Sequence, residues 1–389
     1  QDGKDSDRNI YYEQAGAFKT YNKIRQPTRD RFSLVSLSVG YDGDTYSLKS
    51  VTSFFNRKQN RVDDFSYTNG AIYLANEVVP GLSDYVAVNR MVTSQRNLVQ
   101  EFRLSSNDGP DAQGSWVAGL YLARAQLTAD QSTAEDLDRF ATAIFGAPAA
   151  ELPALFSSGP TGPNNAFSYL EYDQLKDSTG AIFGEYTRKL SEHTTAVVGL
   201  RLGRNAYTFS SLQQGAFAPG GRTVVQGSKR DDSVLPKLSI SHALGAADMV
   251  YATAASGDRP GGGNPALSGY IACQPDLAAL GIREVKPTYD ADKLWSYELG
   301  YKGRALNKTL EVAASLFYID WQKIQTRITL PTCQFGFMAN AGQARSTGAD
   351  IQLQWRLSRQ WSLSASASIT DAKYQKTVFA DGSDNGAGS

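Results

Sequence analysis

The sequence predicts an all-β chain: a transmembrane, antiparallel, up-and-down β-barrel wall. Three observations carry that reading. Apolar and polar residues alternate over many stretches of strand length, which gives each strand one apolar and one polar face. Strand pairs such as 30–41 with 45–56, 181–190 with 194–208 and 361–371 after 349–357 meet at connections of a few residues, whereas the other ends open into excursions at 128–178, 209–231 and 257–291. Outer-membrane barrels sort their loops this way, with short periplasmic turns and long extracellular loops. Finally, no run approaches the roughly 20 apolar residues of a membrane helix, while a barrel strand needs only about 9–11.

Residues 1–29 read as an N-terminal loop or strand remnant. Gln1 to Arg8 is charged and shows no apolar signal-peptide core. The wall occupies 30–374, and 375–389 is an extracellular loop. After the first hairpin, Leu98, Phe102 and Leu104 oppose Glu101 and Arg103. Within Ser132–Asp136 an N-cap residue precedes acidic first-turn residues. Leu137, Phe140, Ala141, Ile144 and Phe145 then recur at helical spacing, and Gly146 closes the helix. A short helix that packs its loop onto its neighbours is favoured over a lid. Farther on, Ala196, Val198, Leu200 and Leu202 oppose Gly199, Arg201, Gly203 and Asn205. Trp295, Tyr297, Leu299 and Tyr301 oppose Ser296, Glu298 and Lys302. From Trp361 to Ile369 every odd position is apolar and every even one is Ser.

In a barrel the apolar faces meet lipid and the polar faces line the lumen. Glu101, Arg103, Arg201, Glu298 and Lys302 are therefore the lumen-facing candidates, either as polar-ligand or plug contacts or as solvated lining. A half-buried sheet in a soluble protein would alternate equally well; it is the sorting of loops by side that favours the barrel. Trp116, Trp355, Trp361, Tyr41 and Tyr46 fall near the short turns, and Trp295 and Trp321 at the far ends of their strands, as two interfacial belts would require. Cys273 and Cys333 lie in far-side loops flanking the hairpin 292–322. A disulfide is expected there in an oxidising compartment, with two unrelated thiols as the alternative.

Composition narrows the function classes. Lys+Arg 39 balances Asp+Glu 39, and this argues against nucleic acid as a partner. The 2 histidines, His193 and His242, sit at near-side strand ends, leaving little for a catalytic triad or zinc site. Gly261-Gly262-Gly263 precedes Asn264-Pro265 rather than a helix, so no phosphate loop is read. Asn307-Lys308-Thr309 is a formal sequon in a tight turn, and Asp381 to Gly386 echoes a calcium loop without its distal Glu. Neither a cofactor nor a metal is expected.

Several segments carry a resemblance. Leu235-Pro236-Lys237-Leu238-Ser239-Ile240 is followed by Val250 through Asn264, which includes Gly257-Asp258-Arg259-Pro260-Gly261-Gly262-Gly263. Leu294 to Gly303, Phe317 to Gln325, Asn340 to Gly348 and Thr370-Asp371-Ala372 continue the series, and Leu48 to Ser53 and Gln100 to Ser106 precede it. In this order they resemble the TonB-dependent outer-membrane receptors. The resemblance implies a plugged barrel of which about 12 of 22 strands are present. It also implies outer-membrane localisation, contact with outer-membrane lipid and uptake of a ferric siderophore or similar scarce nutrient. Energy would come through the TonB complex, and no bond in the substrate would be made or broken. The plug and TonB-contact segment of the family are not in this sequence, so a fragment of a longer receptor is expected, or one half of something completed by other polypeptides. Arg259-Pro260-Gly261-Gly262 would mark a structural strand exit, and the near-side histidines disfavour haem capture by a loop histidine. A passive porin and a β-rich surface binding protein remain as alternatives.

Overall fold

The structure is a computed structural model. It describes residues 2–3, 22–66, 82–107, 113–153, 155–156, 161, 166–265, 267–270, 273–333, 335–340 and 342–376. The expected calcium-loop echo at 381–386 and most of the 1–29 and 375–389 segments lie outside them.

Strands β1 (Asp2–Gly3), β2 (Thr28–Asp42), β3 (Tyr46–Asp64), β4 (Val88–Ser106), β5 (Gly114–Ala134), β6 (Phe167–Lys189), β7 (Thr194–Gln214), β8 (Arg222–Ala243) and β9 (Met249–Arg259) follow one another in space as in sequence. The short pair β10 (Gly262–Gly263) and β11 (Thr288–Tyr289) stands apart, and the wall resumes with β12 (Asp292–Ala305) and β13 (Leu310–Gln322). A second small hairpin, β14 (Gln325–Thr329) with β15 (Gly336–Asn340), precedes β16 (Gln343–Arg356) and β17 (Ser362–Lys376). The result is a 13-stranded sheet in the order β1 to β9, β12, β13, β16, β17. Every neighbouring pair in it is antiparallel. Among the described residues β1 and β17 do not pair, so the sheet is a barrel wall and not a closed cylinder.

Register fixes the two faces, because residues directly opposite on antiparallel strands share a side. Val198 faces Leu238, Leu238 faces Ala254, Ala254 faces Tyr297 and Tyr297 faces Tyr318, a continuous apolar row across five strands. These side chains are not buried: Val198 is 54% exposed, Leu238 57% and Tyr297 44%. Water does not tolerate an apolar face of this breadth on a monomer, whereas lipid covers it. No helix among the described residues is long and apolar enough to cross a membrane, which says nothing of crossing by strands.

The wall is taller than the sequence suggests. The excursion expected at 209–231 is a loop of 215–221 only, and that at 128–178 shrinks to 135–166. Residues 222–232 alternate exposed and half-buried as regularly as the apolar stretches do. They are mostly polar, so an apolar signal misses them. Beyond the bilayer β8 stays paired with β7 up to Arg222, while its pairing with β9 ends at Lys237, and polar outward side chains suit water. Near-side connections stay short at 43–45, 190–193, 244–248, 306–309 and 357–361.

The conventional cores lie in the far-side loops. Helix α1 (Leu137–Phe145) buries Leu137, Phe140 and Ala141 against Leu82, Tyr85, Ala87, Phe156 and Ala216, so loops 65–87, 135–166 and 215–221 share one core. Packing onto neighbours is thus what the helix does. Its cap differs from the expectation: β5 runs through Ala134, and Asp136 is the N-cap, accepting from the Arg139 N–H at 3.1 Å. Ladder pairing with β6 outcompetes an earlier helix start at Ser132. Gly146 closes the helix at φ 77°, the left-handed geometry that glycine adopts without penalty.

Candidate functional site

The inner face carries the polar lining. Glu101 and Arg103, two residues apart on β4, form an ion pair. Across the wall, the Arg201 guanidinium lies over the Tyr121 ring at 5.2 Å and the Phe183 ring at 5.9 Å. Gly119 makes that stack possible, because a Cβ there would meet Phe183 Cζ at 2.3 Å. On β12, Glu298 accepts a hydrogen bond from the Tyr251 hydroxyl, and the Lys302 ammonium sits 5.3 Å above the same ring. Tyr251 reaches both by folding across Gly300. All five candidates share the inner side, but the structure gathers them as three separate groups on β4, β7 and β12. The Lys237–Glu185 ion pair at 2.8 Å, between Arg201 and Glu298, was not evident in the sequence. Its partners are 52 residues apart and meet only through two hairpins.

At the far end the inner wall becomes a mouth. Glu171 accepts from Ser211 Oγ at 3.1 Å and from Gln213 Nε2 at 2.8 Å. Above them Tyr270, from loop 260–291, donates its hydroxyl to Gln213 Oε1 at 3.3 Å and stands 3.4 Å from the Tyr169 hydroxyl, which can donate to it. Burial pushes the Tyr270 phenol well up, so it stays a donor at any physiological pH. Tyr270 also packs its ring 5.0 Å from Phe335 and so ties a second loop to the same point.

That second loop and the first form one lobe. Cys273 and Cys333 are joined by a disulfide, with Cα atoms 5.0 Å apart. Leu267, Leu277, Ile282, Val285, Leu330 and Phe337 pack around it, and helix α2 (Gln274–Ala279) supplies Leu277. The nearly buried Asn264 side chain joins the two loops. It donates to Lys286 O at 3.1 Å and Met338 O at 2.9 Å, and it accepts from Met338 N at 2.8 Å. At the foot of the lobe Arg259 pairs with Asp292, which is 2% exposed, lies 5.0 Å over Trp321, and donates to Gln325 O at 3.4 Å at the start of β14.

Trp321 departs from the expected belt. It faces Leu294, on the side opposite Trp295, so it points inward at the far rim. Level in the membrane was legible from the sequence; the side needed the register. Trp295, by contrast, stacks on Tyr297 on the outer face at 6.0 Å. Both histidines lie at the near side, with ring centroids 6.3 Å apart. Among the described residues no group of three His, Cys, Asp or Glu side chains could hold a metal ion.

Comparison with known proteins agrees with this anatomy. Pesticin receptors of Yersinia pestis and Yersinia enterocolitica are 26% identical over 199 residues, 50% of this chain and 26% of theirs. Among solved structures, the ferric yersiniabactin uptake receptor FyuA from Yersinia pestis superposes with a TM-score of 0.66 at 17% identity, covering 92% of this chain and 45% of that one. The ferric-catecholate import receptor Fiu from E. coli gives 0.57 at 16% identity, over 94% of this chain and 50% of that one. The siderophore receptor PiuA from Acinetobacter baumannii gives 0.56 at 14% identity, over 92% and 49%. This chain thus spans about half the length of these solved receptors, and its match covers a smaller share of the curated relatives. The family model for the TonB dependent receptor-like β-barrel matches residues 1–388, and the chain belongs to that family.

Proposed function

We propose that the chain forms the barrel portion of an outer-membrane transporter that takes up a ferric siderophore or a similar scarce small nutrient, energised through TonB. The observation that carries this reading is the two-sided wall, apolar outside and lined inside by charged side chains of both signs, beneath a mouth held by a disulfide-tied lobe. Inner charges of both signs, held by ion pairs, aromatic rings or a tyrosine hydroxyl, suit a plug or a polar complex more than a charge-selective pore. The relatives bearing siderophore-uptake names support the substrate class.

Uptake of a labelled ferric siderophore by cells carrying the whole receptor tests it. Accumulation is expected only with TonB and an energised inner membrane. Accumulation that persists without either would overturn the reading in favour of a passive channel.

A further inference from the structure

On the inner faces of β6, β7 and β8 one buried amide oxygen has no donor. Asn205 on β7 is 5% exposed, and its register partners are Thr179 on β6 and Asp231 on β8. Its amide nitrogen donates to Asp177 Oδ1 at 2.7 Å and to Thr179 Oγ1 at 3.0 Å, both on β6. The amide oxygen is therefore turned the other way, toward β8, closed off from solvent and accepting no hydrogen bond among the described residues. Turning the amide over gives no relief, because its oxygen would then lie against the Asp177 carboxylate.

Asp231 stands opposite that oxygen and, when ionised, offers acceptors only. Its Oδ2 takes the Gly261 N–H at 3.0 Å, which lays the start of loop 260–291 over the site. The inward cations of β7 and β8 are engaged elsewhere: Arg201 lies over Tyr121 and Phe183, Lys229 pairs with Asp290, and Lys237 pairs with Glu185. Two carboxylates thus flank a buried acceptor with no donor beside it. Such a group is costly to leave unmade, and the like charges around it repel unless a positive charge sits among them.

We propose that Asn205 Oδ1 and Asp231 Oδ1 ligate a resident calcium-type divalent cation, with Asp177 holding the Asn205 amide from behind. Carboxylate and amide oxygens without nitrogen or sulfur are the donors that hard cations take. Calcium tolerates the irregular geometry of donors on adjacent strands, whereas magnesium demands a near-ideal octahedron. A small ion fits, and a transported nutrient does not, because Gly261 covers the site. The ion would fix Asp231, and Asp231 fixes the first residues of the loop that carries the disulfide-tied lobe. This role is independent of which nutrient the receptor carries.

The test is terbium luminescence of the whole receptor in detergent after chelation, excited through tyrosine. Tyr207, the next inward residue on β7, is placed to sensitise the ion. Terbium emission should be displaced by calcium with an affinity on the order of 0.1–1 mM, and much more weakly by magnesium. Asp231→Asn keeps an acceptor for Gly261 but removes the charge, and should weaken binding about tenfold or more. Asn205→Leu, similar in size but without the oxygen, should do the same. Asp130→Asn, on the outer face, should bind as wild type. Calcium should also slow hydrogen exchange at 260–263 in the wild type and in neither site variant. Equal loss in Asp130→Asn, or binding intact in both site variants, overturns the site. A wild type without calcium-displaceable emission holds an internal water only, which also overturns the proposal. Should Asp231→Asn not fold, Asn205→Leu decides alone.

Discussion

The wall and the loop lobes bury apolar surface in opposite ways. In the lobes, Phe140, Phe156, Leu277 and Leu330 are almost wholly enclosed by protein. On the wall, residues of the same chemistry, Leu200, Leu299, Leu316 and Ile369, stand outward and exposed. One chain thus carries cores built for water at its far end and a face built for lipid along its length. Local alternation specifies the wall, since a two-residue period needs no distant partner. The lobes depend on loops that meet across many strands, and they should respond to mutation independently of the wall.

The largest effect expected is inside a lobe. Phe140→Ala should remove about 3–5 kcal/mol of local stability, read as faster hydrogen exchange in 135–156 with unchanged protection in β12 and β13. Loss of protection throughout the wall would show that the two regions are one cooperative unit. Reducing Cys273–Cys333, or replacing both with Ser, should cost the second lobe about 2–4 kcal/mol. Limited proteolysis near 271–286 should rise, and α1 should be unaffected.

The wall should fail differently. Leu299→Arg places a cation on the lipid face and should cost about 2–4 kcal/mol in a bilayer-embedded barrel, measured by denaturant titration in vesicles. Gln226→Arg, outward but above the band, should change stability by no more than about 0.5 kcal/mol. Equal costs at both positions would erase the distinction between lipid-facing and water-facing wall.

The smallest effect is electrostatic. Lys229 donates to Asp290 and holds its carboxyl below the usual value. A depressed carboxyl stabilises the fold above the unfolded value near pH 4, and this is lost as pH falls through the lower folded value. Asp290 is more than half exposed, so solvent screening limits the effect to about 0.5 kcal/mol. Asp290→Asn should lower lobe stability at neutral pH by about 0.5 kcal/mol and leave it unchanged in acid, so that the acid limb below about pH 4 is correspondingly flatter.

Much of the wall was legible in the sequence because the strand period is local: Trp361 to Ile369 displays both faces within nine residues. Cys273 and Cys333 could be assigned to neighbouring loops by tracing which side each loop occupies. Other features were hidden. The strand heights at 209–231 were missed because polar alternation carries no apolar signal. Tyr270 docking on Gln213, and Asn264 joining two loops, depend on contacts between loops distant in sequence. The side of Trp321 turned on a register that strand level alone does not give.

Trp295 and Trp321 lie at the same height on neighbouring strands but face opposite sides, so they test the two-sided wall most directly. In whole receptors retaining only one or the other tryptophan, reconstituted with brominated lipids, Trp295 fluorescence should be strongly quenched and Trp321 fluorescence should not. Equal quenching of both, or stronger quenching of Trp321, would contradict a wall with its apolar face in lipid and its charged face toward a lumen.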